Sequence, residues 1–211
     1  AYLDGSSNME KVMQRETESM VLRGKEELDQ WLAMYVQDAQ ILALNKVLKG
    51  ACMSGLPASA RRQLTGFFEM DDGLENLFIA TPDGLVLADA LGGESDGSEG
   101  NNLLTIPEFK DNATRTLAGE VWVGEAVFSP DSEAMITLVT APIRNSEEVI
   151  GILGMQVLLS DYTEKFMHTS RIGETGYLYL LDSKGICIAH HVPEIVGYDT
   201  AQNDWGRTML A

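Results

Sequence analysis

Positive charge is scarce in this 211-residue chain: 15 Lys and Arg stand against 32 Asp and Glu, a net charge of −17. That balance excludes a nucleic-acid binder, which needs a basic footprint, and a domain that docks on anionic lipid. Cysteine is almost missing. Cys52 and Cys187 are the only two, 135 residues apart, with neither CxxC nor metal-ligand spacing, so both are expected to stay unpaired. Of three histidines, His168 stands alone, and the adjacent His190 and His191 point to opposite faces if they lie in a strand. No metal site and no cofactor are expected. Nucleophile-elbow, P-loop and dinucleotide motifs are absent, and Gly92, Gly93 and Gly97 sit in an acidic loop of the wrong sign for phosphate. The chain is therefore not expected to be an enzyme. It also lacks a signal peptide and any run of 18 apolar residues. Its opening, Ala1 to Gly5, reads as a cut into a longer protein.

What is present begins with a helical period. Apolar residues recur, mostly three or four apart, from Val12 through Met20, Leu28, Trp31, Leu32, Tyr35, Val36, Ala39 and Leu42 to Val47 and Leu48. The spacing predicts one nearly continuous helix over Asn8–Lys49, roughly 60 Å long and lying along the outside of a sheet domain, with Gly24 its weak point. Gly50 and Gly55-Leu56-Pro57 end it, and a shorter helix is expected over Ser59–Phe68.

From Leu74 the period changes to that of strands. Leu77–Ala80, the turn Thr81-Pro82-Asp83-Gly84 and Leu85–Ala88 predict a β-hairpin. Gly92–Asn102 reads as a mobile loop, and Pro107–Leu117 as a helix with proline in its first turn and Gly119 beyond its end. Strands follow over Val121–Phe128, Ala134–Ala141 and Val149–Leu159. The economical fold is α+β: a long N-terminal helix packed on a five-stranded antiparallel sheet.

The stretch Phe78–Ala88 repeats in residue class as Tyr179–Ala189, offset by 101, with Gly84 and Gly185 at the turns. A helix-like segment precedes each copy (Ser59–Phe68 and Ser160–Ser170). A second hairpin is thus expected over Tyr177–His190, turning at Ser183-Lys184-Gly185. Its three return strands do not follow, so it is either a second module begun and not completed or a tail of another kind. A lone hairpin is marginal in water, so packing on the rest of the chain or pairing with a second chain is expected to order it.

This order of segments resembles the double Cache family, the PAS-like sensor domains of methyl-accepting chemotaxis receptors, histidine kinases and membrane-bound cyclases. The resemblance rests on Asn76–Asp89, Pro107-Glu108-Phe109 through Gly119, Val123–Ala126, Ala134–Pro142, Gly151–Gln156 and Gly173-Glu174-Thr175-Gly176-Tyr177-Leu178-Tyr179. It implies a helical stalk with connecting helix over residues 1–73, a membrane-distal module over 74–160, and a linker helix with a partial membrane-proximal module over 161–211. It further implies the periplasmic or extracytoplasmic sensing part of an inner-membrane receptor of the chemotaxis type. Such a receptor works as a homodimer that passes ligand binding through its stalk helices. The alternatives are the sensor of a histidine kinase or cyclic-dinucleotide enzyme, or a structural module that contacts a periplasmic binding protein.

The family's ligand pocket lies between sheet and crossover segment, which directs attention to Phe109, Asp111, Trp122, Glu125, Val127 and Gln156. In amino-acid-binding members, an Arg, two aromatics and an Asp on the crossover hold the ligand, with a Tyr on the third strand and an Asp on the last. Here Ile106 stands at the Arg position, Glu108 at the first aromatic, Val127 near the Tyr and Gln156 at the last Asp, while Phe109 and Asp111 fit. The departures argue against an ordinary α-amino acid. Glu108, Asp111, Glu120 and Glu125 form either a solvated surface or, where one or two face inward, a selector for a cation or amine. Strand alternation puts Trp122 and Phe128 on one face and Glu125 and Val127 on the other, without saying which faces the pocket.

Overall fold

The computed structural model describes residues 2–92, 97–166, 171–172 and 176–203, with side chains from residue 11 onward except at 171–172. The chain divides into two units, one of residues 33–161 and one of residues 1–32 with 162–211. Helix α1 (Tyr2–Ala43) contributes to both. In mid and late course it buries Trp31, Tyr35, Ala39 and Leu42, spaced four, four and three apart along one face, with Ala43 at its end.

The helix expected to reach Lys49 ends at Ala43 instead. Asn45 is the cause: its backbone is extended, and its side-chain oxygen accepts from the amides of Val47 and Leu48. Those are first-turn donors that a helix cannot satisfy from within, so an asparagine there starts a new helix. That helix, α2 (Lys46–Ser54), buries Leu48 and Ala51. The apolar period therefore continues across the break and hides it. Helix α3 (Ala58–Phe68) follows.

Strands β1 (Leu74–Ala80), β2 (Val86–Asp89), β3 (Trp122–Ser129), β4 (Ala134–Asn145) and β5 (Glu148–Leu158) form one sheet in the order β2-β1-β5-β4-β3. Every neighbouring pair is antiparallel. The crossover from β2 to β3 carries helix α4 (Pro107–Leu117) from one edge of the sheet to the other. Alternation gives the sheet two buried faces. Phe78, Ala80, Leu138 and Ile152 pack with Ala113 of α4. Burying a side chain the size of Phe78 contributes about 2–3 kcal/mol. Asn112 Nδ2 donates to the Leu138 carbonyl at 2.7 Å, and the Thr116 and Thr140 hydroxyls meet at 2.6 Å, which fixes α4 on this face. The other face buries Leu77, Ile79, Val139, Leu153 and Met155. Here α2 approaches so closely that a Cβ on Gly151 would lie 2.7 Å from Cys52 Sγ.

In the other unit, α5 (Leu159–Phe166) places the Tyr162 ring 5.4 Å from that of Trp31, and the Tyr162 hydroxyl donates to the Gly24 carbonyl at 3.0 Å. A side chain at Gly24 would meet Leu178 at 3.2 Å. The expected weak point of the helix is thus a packing site. Two short strand pairs follow, β6 (Arg171–Ile172) with β7 (Gly176–Tyr177) and β8 (Leu180–Leu181) with β9 (Cys187–Ala189).

The hairpins β1–β2 and β8–β9 share a hydrogen-bond pattern. Gly84 (φ 86°) donates to the Thr81 carbonyl and Thr81 to that of Leu85; Gly185 (φ 84°) donates to Asp182 and Asp182 to Ile186. A returning strap also bonds alike. Val86 donates to Asn101, Gly100 to Val86 and Leu103 to Gly84; correspondingly, Cys187 donates to Tyr198, Gly197 to Cys187 and Thr200 to Gly185. The repeat thus extends past the eleven residues aligned in sequence.

Candidate functional site

A cavity of about 590 Å³ lies beside the α4 face of the five-stranded sheet. Phe78, Ile136 and Gln156 line it from the sheet; Ser98, Asn101 and Leu103 line it from the strap. Ile106, Glu108 and Phe109 come from the start of the crossover helix, and Val127 to Asp131 from the end of β3 and the turn after it. Two carboxylates, Glu108 and Asp131, stand among the described lining residues, which include no Lys, Arg or His. The lining therefore offers nothing to neutralise an anion and favours a cation or a neutral polar molecule.

The strap is fastened to the body by ionic and polar contacts. The Asp89 carboxylate accepts from the amides of Ser98 and Glu99. The Glu99 carboxylate accepts from Arg61 Nε and Nη2 of α3, each at 2.5 Å, in a two-point pair. It also accepts from the Asp89 amide. The Arg61 guanidinium, with that amide, holds the Glu99 carboxyl below its ordinary pKa against the opposing effect of burial. Asn102 ties the strap's far end, donating to the Asp83 carbonyl and accepting from the Leu104 amide.

Of the six residues marked in sequence, the structure brings Phe109, Val127 and Gln156 together around the cavity. The other three lie elsewhere. Asp111 is exposed on α4 and accepts from Arg115 Nε at 2.9 Å. The Arg115 guanidinium lies 3.9 Å from the Trp122 ring centroid and also reaches Glu120 at 3.4 Å. Glu125 is exposed on β3. A β-bulge between Val123 and Ala126 explains the parity error on this strand. Trp122 pairs with Thr140 and Val127 with Ile136, two positions on one face of β4, so Trp122 and Val127 share a face that simple alternation denies them.

Sequence reasoning missed the strap residues Ser98 and Asn101, and Asn76 behind them. Gly92–Asn102 has the composition of a mobile loop, of which residues 93–96 fall outside the described residues. The signal was Gly100 before Asn101-Asn102, since Gly100 takes a φ of 84° where the strap turns in to bond β2.

A second hollow, of about 460 Å³, lies within the other unit and is lined mainly by Tyr177, Tyr179, Tyr198 and His190. Burial, with His191 nearby, lowers the His190 pKa, and its Nδ1 accepts from the Val192 amide. Cys52 and Cys187 are free thiols, and burial pushes Cys52 up to about 11, leaving it unreactive. Among the described residues no His, Cys, Asp or Glu cluster stands close enough to hold a metal, and no helix is long and apolar enough to cross a membrane.

Comparison with known families resolves what this arrangement belongs to. The Cache domain family model, of the double Cache type, matches residues 5–205. The chain belongs to the Cache domain family. Solved structures agree in fold. The sensor domain of the Vibrio cholerae histidine kinase DctB aligns with a TM-score of 0.70 at 16% identity, over 86% of this chain and 68% of that one. The ligand-binding domain of the Pseudomonas aeruginosa chemoreceptor PctC, in complex with GABA, gives 0.64 at 17% identity, over 90% and 81%. That of the Pseudomonas fluorescens chemoreceptor CtaA, in complex with L-serine, gives 0.59 at 12% identity, over 85% and 72%. No curated protein matches this Cache domain. The argument against an α-amino acid finds no support in these neighbours, since one of them holds L-serine.

Proposed function

We propose that this Cache domain is the extracytoplasmic small-molecule sensor of a bacterial transmembrane receptor of the chemotaxis type. It binds a small amine, amino acids included, in the cavity between strap, crossover helix and sheet. The observation that carries this reading is the cavity's lining: polar side chains and two carboxylates, with no cationic side chain among the described residues. The exposed carboxylates of Glu108 and Asp131 attract a ligand ammonium, and the net charge of −17 steers cations toward the domain. Phe109, Val127 and Gln156 are the sequence-marked residues assigned to this site; Asp111, Trp122 and Glu125 take a flanking role beside it. The domain catalyses nothing and acts as a homodimer. Ligand binding shifts a population between two packings of the stalk helices, by no more than the ligand's preference for one of them. A histidine-kinase output is the second reading, favoured by the likeness to the DctB sensor domain.

A thermal-shift screen against amines, amino acids, organic acids and nucleobases tests the proposal. Ligand present at 100 times its Kd stabilises by about 2.7 kcal/mol, which is several degrees for a domain of this size. Amines are expected to raise Tm and dicarboxylic acids to leave it unchanged. A response confined to the acids, or none at all, contradicts the reading.

A further inference from the structure

Gln156 is the site residue whose orientation can be traced, through Ser98 and Asn76, to the backbone. The trace starts at Leu77, whose amide donates to Asn76 Oδ1 at 2.8 Å. A backbone amide only donates, so the oxygen of Asn76 is on that side and its Nδ2 is turned to Ser98 Oγ, 2.8 Å away. Asn76 is 1% exposed, which leaves water little chance to compete. The Ser98 hydroxyl accepts from Asn76 and keeps one proton to give. The group facing that proton is Gln156 Oε1, 3.5 Å away, a contact longer than an ordinary O–H···O bond. Asn76 and Gln156 are register partners across β1 and β5, so strand pairing sets this geometry. With its oxygen turned toward Ser98, Gln156 has Nε2 left over, and no described side chain or carbonyl accepts from it.

We infer that Gln156 is a specificity-determining donor: it offers N–H to the ligand, and the cavity selects amines that also carry an oxygen acceptor, as carboxamide or carboxylate, at the β5 end. This rests on the cavity being the ligand site. The reversed relay, with Ser98 accepting from both amides, leaves the hydroxyl proton without a partner among the described residues. An ammonium at that end of the cavity meets Gln156 N–H groups head-on, whereas a carbonyl oxygen completes their bonding.

The orientation is testable without a ligand. In side-chain amide spectra of the whole chain, the Asn76 Nδ2 protons are expected to show contacts to the Ser98 β-protons and the Gln156 Nε2 protons none. Strong contacts from Gln156 to Ser98 overturn the inference. Calorimetry with 4-aminobutanamide and 1,4-diaminobutane, cationic amines with chains of similar length, then tests the selectivity. The amide is expected to bind at least about tenfold more tightly than the diamine. Asn76→Asp draws the Ser98 proton to itself and turns Gln156 around, so the preference should shrink or reverse. Ser98→Ala provides a second route that adds no buried charge: it uncouples Gln156, and the preference should collapse. A diamine that binds as well as the amide in the unmodified chain, or a preference indifferent to Ser98→Ala, overturns the inference. If neither amine binds while the amide orientation is as described, the amine reading of the cavity fails and the selectivity falls with it.

Discussion

The two hairpins of this Cache domain share a turn and a strap but differ in what surrounds them. In β1–β2 the strands run seven and four residues, and β1 also pairs with β5. In β8–β9 they run two and three, with no third strand among the described residues. Both turns place a glycine at φ near 85° and close with the same bonds, so turn chemistry acts locally. Strand length and burial depend on neighbours: Phe78 is fully buried, while its counterpart Tyr179 is only partly covered. The hollows differ in the same way. Beside β1–β2, other strands and a helix complete a cavity of mixed polar and apolar lining; beside β8–β9, the hairpin, its strap and Tyr177 of β7 present tyrosines.

The comparison breaks most visibly by truncation at equivalent positions. Phe78→Ala is expected to cost about 3–5 kcal/mol, because a fully buried ring leaves a cavity behind. Tyr179→Ala should cost about 1 kcal/mol, and urea unfolding of the two variants measures the gap. Equal costs would mean that the second hairpin is packed as fully as the first.

Alanine at the turn glycines sharpens the local half of the comparison. Each substitution forces a side chain into the left-handed region at about 1–2 kcal/mol. Gly84→Ala carries an added cost, since its Cβ would also stand 2.7 Å from Asn102 Oδ1. Hydrogen exchange at the Thr81 and Asp182 amides, which donate across the turns, reads the two turns separately.

Acid separates the units by a smaller effect. The folded His190 pKa lies below its ordinary value of about 6.5, so the unfolded chain binds that proton more readily. The stability it contributes is complete above about pH 6.5 and lost as pH falls through the lowered folded value. Glu99 is also lowered, from the carboxylate range, so its contribution is lost only at more acid pH. Amide exchange should therefore rise around residues 187–192 at mildly acid pH and around 98–101 only below it. Arg61→Ala should remove the second step, with little other effect because Arg61 is partly exposed.

How much of this was legible depended on whether a residue acted through period or through a partner distant in sequence. Pro107 and Gly119 bounded α4 correctly because proline and glycine act on their own backbone. The five strands and both hairpins followed from alternation and turn residues. The break at Asn45 was not read because Val47 and Leu48 kept the apolar period going, although the capping residue was in plain view. Around the cavity, Phe109, Val127 and Gln156 were reachable by position. Asp111 is exposed on α4 and is not among the lining residues, while the exposed Glu108 one turn earlier is. The bulge in β3 has no sequence marker strong enough to reset strand parity. Ser98 and Asn76 gain their roles only when strand pairing brings them together.

The central claim is that ligand binds in the cavity of residues 33–161. Shift mapping by NMR, with an amine that raises Tm, tests it most directly. Perturbations are expected at Ser98, Phe109, Val127, Ile136 and Gln156, with the tyrosines of 177–198 unmoved at low occupancy. Perturbations concentrated instead at Tyr177, Tyr179, His190 and Tyr198 would contradict the account.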